Sequence, residues 1–341
     1  MTKLRVSIWF SHMRLLRYGV FTMGTTTSSP TTSELALAAS VARRYFLGGQ
    51  TKVDIATDLG MSRFKVARLL DLARSSGLVR ISVADPVTVD IELGDLLRRR
   101  LALTQVIVVN TVGGDVGRIR GQLASHTASF LEETLTSTDV LGIAWSRSVL
   151  ETATRLQRLP GCEIVQLSGA LRRPEVTTDL VEVVQRLGRV GGGRSHAFYA
   201  PLFVSDPASA EVIRRQPEVA GAFARFASVT VALVGIGSWR PADSTLRESL
   251  TSEERGALHR SHVLADVSGT FLDESGSPLP MPLTRQIVGI EAEALRAIPQ
   301  VIAIAHGRDK AAAAHIAARS GFVKTLVTTP PLARELLRLS D

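Results

Sequence analysis

Cysteine is nearly absent from this 341-residue chain: Cys162 stands alone. A single thiol excludes an internal disulfide and any zinc centre built from several cysteines. Such cysteine poverty suits a reducing compartment, so the expected location is the cytoplasm. No uninterrupted apolar run reaches 18 residues, which leaves no candidate for a membrane-spanning helix, and no membrane partner is expected. Acidic residues are missing altogether from the first 33 positions. The usual catalytic signatures are missing too. None of the five lysines follows a glycine, so there is no Walker A loop. There is no H-E-x-x-H, no G-x-S-x-G, and no G-x-G-x-x-G closing around Gly235-Ile236-Gly237. The seven histidines are scattered, with only His259 and His262 close enough to share a helix face. No catalytic residue, metal site or cofactor is therefore expected.

What is present supports a globular protein. The chain is 45% apolar and 21% charged, enough to bury a sizeable core, and its length suits about two domains. The formal net charge of +8 is unevenly spread. Residues 1–85 hold 12 basic and 5 acidic side chains, a net of +7, and the remaining three quarters of the chain is nearly neutral. A small nucleic-acid-binding module ahead of a large neutral domain follows from that asymmetry. Arg14 and Arg17 interrupt the apolar stretch from Val6 to Phe21, so a secretory signal is a poor fit; with Thr25–Thr32 of linker composition, residues 1–33 are expected to be a disordered or non-native leader. Translation from Met23 is a second reading of that leader.

From Glu34 the pattern turns helical, with Leu35, Ala38, Val41, Ala42 and Tyr45 at three- and four-residue spacing. Gly48-Gly49 ends that helix. Thr51 opens the next, with Asp54 as its capping-box partner. After Gly60-Met61, Ser62 is a good N-cap for a third helix from about Arg63 to Ser76, and Leu78–Val83 reads as a strand, a short wing. A small residue (Ala56), a glycine four positions on (Gly60) and a branched apolar residue six further (Val66) form the helix-turn-helix pattern. The outward positions of the third helix include Arg63, Phe64, Lys65 and Arg68. A recognition helix reads base edges with its N-terminal residues, so Arg63 and Lys65 are the leading base readers, with Arg68 next. Arg43 and Arg44 suit phosphate contacts, and Thr51 and Ser62 stand at the helix starts facing the same partner. The DNA-binding domain is expected over 34–84 and a linker helix over 85–103.

From residue 104 to 341 strands and helices alternate. Strands are expected at 105–109, 139–144, 163–167, 197–203, 229–235, 263–267, 301–305 and 325–328. Helices are expected at 118–135, 149–156, 178–187, 252–259, 309–320 and 332–339. This is an α/β fold, doubly wound and mostly parallel. Ligands in such sheets bind beyond the C-terminal strand ends. That rule selects the loop Ala144–Ser148, the glycine-containing loop Gly235–Trp239, the loop His306–Lys310, the strand end Gln166–Gly169, and Asp266. The hydroxyls, guanidinium and helix start of Ser146-Arg147-Ser148 are the parts of an anion site.

With these residues in view, the chain resembles the SorC-type sugar-binding bacterial transcription regulators. The resemblance covers roughly residues 36–340. It rests on Ala42–Phe46, Ile55-Ala56, Leu59-Gly60, Ser62-Arg63, Val66, Arg68–Leu70 and Gly77–Val79, then on Gly142–Ser148, Val165–Gly169, Val234–Ser238, Asp266–Gly269 and Gly307–Lys310. It implies an effector domain related in fold to sugar-phosphate isomerases and deaminases but without their turnover. It also implies dimers or tetramers on double-stranded operator DNA, and a sugar, polyol or sugar phosphate as effector. Carried over residue by residue, the ligand site comprises Ser146, Arg147, Ser148, Gln166, Gly235, Gly237, Asp266 and Lys310. Ser146 and Ser148 stand where the family usually has glycine and threonine, and Thr328-Thr329-Pro330 replaces a familiar Thr-Asp-Glu. The expected function is a DNA-binding regulator whose operator affinity is modulated by that effector. The rival readings are a sugar-phosphate isomerase or deaminase using Asp266 and His306, and a DNA-binding scaffold whose large domain only oligomerises.

Overall fold

A computed structural model describes residues 30–79, 89–171 and 179–339. The leader up to residue 29, the possible Met23 start and the wing from Arg80 onward lie outside the described residues. The chain divides between Pro86 and Val87 into two compact units.

The small unit has three helices, α1 (Thr32–Phe46), α2 (Lys52–Asp58) and α3 (Arg63–Ser75). Local chemistry sets each start. Thr31 and Glu34 form a capping box on α1, Thr51 and Asp54 form one on α2, and Ser62 Oγ accepts from the Lys65 backbone N–H on α3. Gly60 turns the chain between α2 and α3 at φ 60°, a left-handed conformation that costs glycine little. Ala38, Val41, Ala42, Ile55, Ala56, Val66, Leu69, Leu70 and Ala73 close the core between the helices. Leu78 and Val79, the described start of the expected wing, are not in a strand.

The large unit is built on β1 (Gln105–Val108), β2 (Val140–Ile143), β3 (Glu163–Gln166), β4 (Ser195–His196), β5 (Val231–Trp239), β6 (Ala242–Asp243), β7 (Ala265–Val267), β8 (Thr270–Leu272), β9 (Gln300–Ile304) and β10 (Thr325–Thr328). The main sheet runs β1-β10-β9-β5-β2-β3-β4, every neighbouring pair parallel. Its helices are α4 (Ile91–Leu101), α5 (Val116–Thr134), α6 (Arg147–Arg155), α7 (Leu180–Gly191), α8 (Pro207–Arg214), α9 (Pro217–Phe223), α10 (Thr245–Ser249), α11 (Ser252–Arg260), α12 (Ala292–Ala297), α13 (Ala311–Arg319) and α14 (Pro330–Leu339). Strand residues alternate between two cores, as a two-residue period requires. Val106, Val108, Ala232, Val234, Ala303 and Leu326 pack with α4, α13 and α14. Ile107, Leu141, Ile143, Leu233, Ile302 and Val327 pack with α5, α6 and α7. A sheet covered on both faces has near-continuous apolar strands, and these have them.

Three differences from the sequence expectation have physical causes. The helix in the expected 85–103 linker is not a free connection: Leu97 and Leu101 are buried with Val106 and Val108, and the Asp90 N–H donates to the Val108 carbonyl. The expected strand at 197–203 does not form: β4 ends just before it at His196, and within the range there are only isolated bridges at Pro201 and Phe203. Gly235–Trp239, expected as a loop, continues β5. As far as Gly235 that strand pairs with β9, and from Ile236 to Ser238 it pairs antiparallel with β7, which itself pairs with β8. The backbone stays extended because a new partner replaces the old one.

Chain order rises away from β2 towards β4 on one side and from β5 towards β10 on the other. The crevice between β2 and β5 is therefore the switch point of the sheet, the place where open α/β folds bind ligands.

Candidate functional site

A cleft open to solvent lies at that switch point. The turn after β2 builds one wall. Ser146 caps α6, its Oγ accepting from the Val149 N–H at 3.1 Å. The Trp145 N–H donates to Ser168 Oγ at 2.9 Å, which fixes this turn to the end of β3. Arg147 and Ser148 then begin α6 at the cleft, where unpaired backbone N–H groups and the helix dipole favour negative charge.

The extended part of β5 builds the opposite wall, and its glycines serve close approach. A Cβ on Gly235 would lie 2.6 Å from the Ser146 Cβ. A Cβ on Gly237 would collide with Asp266 Oδ1 and with Ser244 Oγ. Asp266, on β7 opposite Gly237, is buried. Its Oδ1 accepts from Trp239 Nε1 at 2.8 Å and Ser244 Oγ at 2.6 Å. Burial pushes its pKa above the usual carboxylate range, against the opposing pull of these two donors and Lys310.

Lys310 enters from the segment after β9. Its Nζ donates to the Ile236 carbonyl at 2.9 Å and lies 3.3 Å from Asp243 Oδ2. Arg147 Nη2 holds the other oxygen of that carboxylate at 2.7 Å. Burial disfavours the charged form of Asp243, but Lys310 and Arg147 together keep its pKa below the ordinary value. Arg120, on α5, reaches the same cleft and pairs with Glu151 at 2.7 Å.

His306 lines the cleft beside these cations. Its pKa falls to about 4, first through burial, then through Lys310 and Arg120. The sign of the resulting pH dependence follows. A histidine whose folded pKa lies below its unfolded value stabilises the fold above the unfolded pKa near 6.5, and that contribution is lost as pH falls towards 4. Denaturant unfolding followed from about pH 7 to about pH 4 should show His306→Asn less acid-sensitive than the native protein in that window. Parallel acid profiles would refute this account of His306.

Of the sequence-expected ligand residues, Ser146, Arg147, Ser148, Gly235, Gly237, Asp266 and Lys310 all line the cleft. Gln166 does not. It is buried, its amide nitrogen donates to the Ser168 and Phe198 carbonyls, and its oxygen accepts from the Phe198 N–H. Gln166 joins β3 to the segment after β4, and Ser168 two residues on takes its place in the cleft. Arg120, Asp243 and Ser244 are cleft residues that the sequence reading missed. For Arg120 a signal existed: α5 follows β1 directly, so its first turns must lie at the same sheet edge.

On the small unit, Arg63, Phe64, Lys65 and Arg68 are exposed along α3, Phe64 at 85%. Arg43 is exposed on α1. Arg44 is drawn into an ion pair with Asp58 at 3.2 Å, and the Thr51 hydroxyl is engaged with Asp54, so both tie the unit together internally. Ser62 is likewise occupied as a cap.

A helix-turn-helix unit followed by an open α/β unit with a polar cleft at its switch point defines a two-part protein, one part shaped for DNA and the other for a small ligand. The family described as "Putative sugar-binding domain" matches residues 85–338, and the chain belongs to it. The deoxyribonucleoside regulator of Bacillus subtilis is 25% identical over 303 residues, covering 88% of this chain and 97% of its own. The transcriptional regulator LsrR of Escherichia coli K12 is 28% identical over 312 residues, covering 88% and 94%. The full-length sorbitol operon regulator SorC of Klebsiella pneumoniae shares the fold, with a TM-score of 0.66 and 24% identity over 90% of this chain and all of that one. Among the described residues no helix is long and apolar enough to cross a membrane.

Proposed function

We propose that this chain is a transcription regulator that binds operator DNA through α3 and responds to a sugar, polyol or sugar phosphate held in the cleft between β2 and β5. The observation that carries the reading is the cleft itself: Arg147, Lys310 and the start of α6 converge on one point of the switch crevice. Hydroxyl-rich ligands find Ser148, Ser244 and Ser268 there, and an anionic group finds the two cations. The DNA-binding domain spans 34–84, and the effector and oligomerisation domain takes in α4 and runs to the C-terminus. No turnover is assigned. Asp266, the acid of an isomerase-like reading, has Oδ1 committed to Trp239 and Ser244.

For a ligand to switch the protein, it must favour one quaternary arrangement over another. A dimer then presents two α3 helices about 34–36 Å apart, or loses that spacing. The test is a thermal-shift panel of sugars, polyols and sugar phosphates on the full chain, followed by DNA binding with and without the hit. A panel in which nothing raises the melting temperature would favour a scaffold.

The contact assignment makes its own prediction. With DNA selected by the protein from a random pool, Arg63→Ala or Lys65→Ala should cost roughly 1–3 kcal/mol and relax preference at one base position. Arg43→Ala should weaken all sequences alike and lower the salt slope by about one. Unchanged affinity in the α3 variants, measured by fluorescence anisotropy, would remove α3 from the interface.

A further inference from the structure

Within the cleft one carboxylate sits between the two cations, at the place where an anion belongs. Asp243 Oδ1 is 2.7 Å from Arg147 Nη2, and Oδ2 is 3.3 Å from Lys310 Nζ. The two cations therefore grip opposite oxygens of a single group, as they would grip a ligand phosphate. The carboxylate stays partly open to solvent, its side chain 43% exposed, so it sits at the mouth of the cleft and not behind it. Its backbone attachment is slight. β6 has two residues and meets β5 through only two residue pairs, Ser238 with Asp243 and Trp239 with Ala242. Ser244, the next residue, is held deeper by Asp266, so the anchor lies on one side of Asp243 and the free face on the other.

We propose that Asp243 is an intramolecular occupant of the anion subsite, displaced by the anionic group of an incoming ligand, and that it thereby sets the cleft's threshold against singly charged and weakly held anions. The inference rests on the reading of the cleft as the effector site. With Asp243 seated, one of the two positive charges is answered and both cations have a partner. A ligand must offer more negative charge or more hydrogen bonds than one carboxylate to replace it. A phosphate dianion does both, and a small monoanion does neither.

Calorimetric titration of the full-length protein with inorganic phosphate, and separately with acetate, tests this. Asp243→Asn keeps the size of the side chain and removes its charge. It should tighten phosphate binding roughly three- to ten-fold, the range expected when a partly exposed ion pair no longer competes. It should also make acetate binding measurable where the native chain shows none. Equal or weaker phosphate binding by Asp243→Asn overturns the proposal. Lys310→Met in both backgrounds separates the two levels of the argument. If it abolishes phosphate binding while Asp243→Asn leaves it unchanged, the cleft binds anions and Asp243 is not their competitor. If phosphate binding persists undiminished in Lys310→Met, or is absent from every protein, the anion reading of the cleft falls as well. Circular dichroism melts of each variant confirm that the comparison is between folded proteins.

Discussion

Lys310→Met is expected to weaken ligand binding in the cleft by roughly a hundred-fold, within the 2–5 kcal/mol typical of truncating one partner of a desolvated charge pair. The side chain is only 14% exposed, and its ammonium serves three demands at once. It satisfies the Ile236 carbonyl in the middle of β5, it neutralises half of Asp243, and it presents positive charge to the cleft. Methionine fills nearly the same volume without the charge, so packing around the start of α13 is retained. The loss should appear as affinity for a sugar phosphate, measured by calorimetry, with DNA binding in the absence of ligand unchanged. A loss smaller than about three-fold would show that the ligand's charge is held elsewhere.

Val66→Asp should remove DNA binding altogether while sparing the cleft. Val66 is fully buried in the core shared by α1, α2 and α3. Nine buried side chains hold that core, and a unit of about fifty residues has only roughly 3–7 kcal/mol of stability to lose. An unpaired carboxylate placed there costs about 3–5 kcal/mol, comparable with the whole. Helical signal from the small unit should fall, and DNA binding with it, while ligand titrations still report an intact large unit. Retained DNA affinity in this variant would mean that α3 does not depend on the packing described.

The small unit is legible in the sequence because its determinants are local. The Thr51–Asp54 box, the Ser62 cap and the left-handed Gly60 act over three or four residues. The parallel sheet is legible for a related reason, since apolar runs separated by helical periods leave few other solutions. The cleft is only half legible. The rule that ligands sit past strand ends finds Ser146–Ser148 and Lys310. It misplaces Gly235–Trp239, because glycine ordinarily weakens a strand. Here Gly237 leaves room for Ser244, beyond the turn into β6, and for Asp266, which lies far along the chain. Asp243 has no local mark at all: its position depends on β5 running past the main sheet. Gln166 was found by the strand-end rule and then lost to it, since its amide turns to backbone partners on the segment after β4.

The continuity of β5 also limits how this protein can evolve. Its first half is in register with β2 and β9, and its second half with β6 and β7. A one-residue insertion between Val231 and Gly237, unless absorbed by a bulge, would turn every following side chain to the opposite face. Trp239 would lose Asp266, and the residue beside Asp266 would cease to be glycine. Point substitutions can reshape the cleft for new ligands, but length changes in this strand are closed to it. Diversification comes more readily through α6 and the turn of β6, whose residues line the cleft without fixing the register of the sheet.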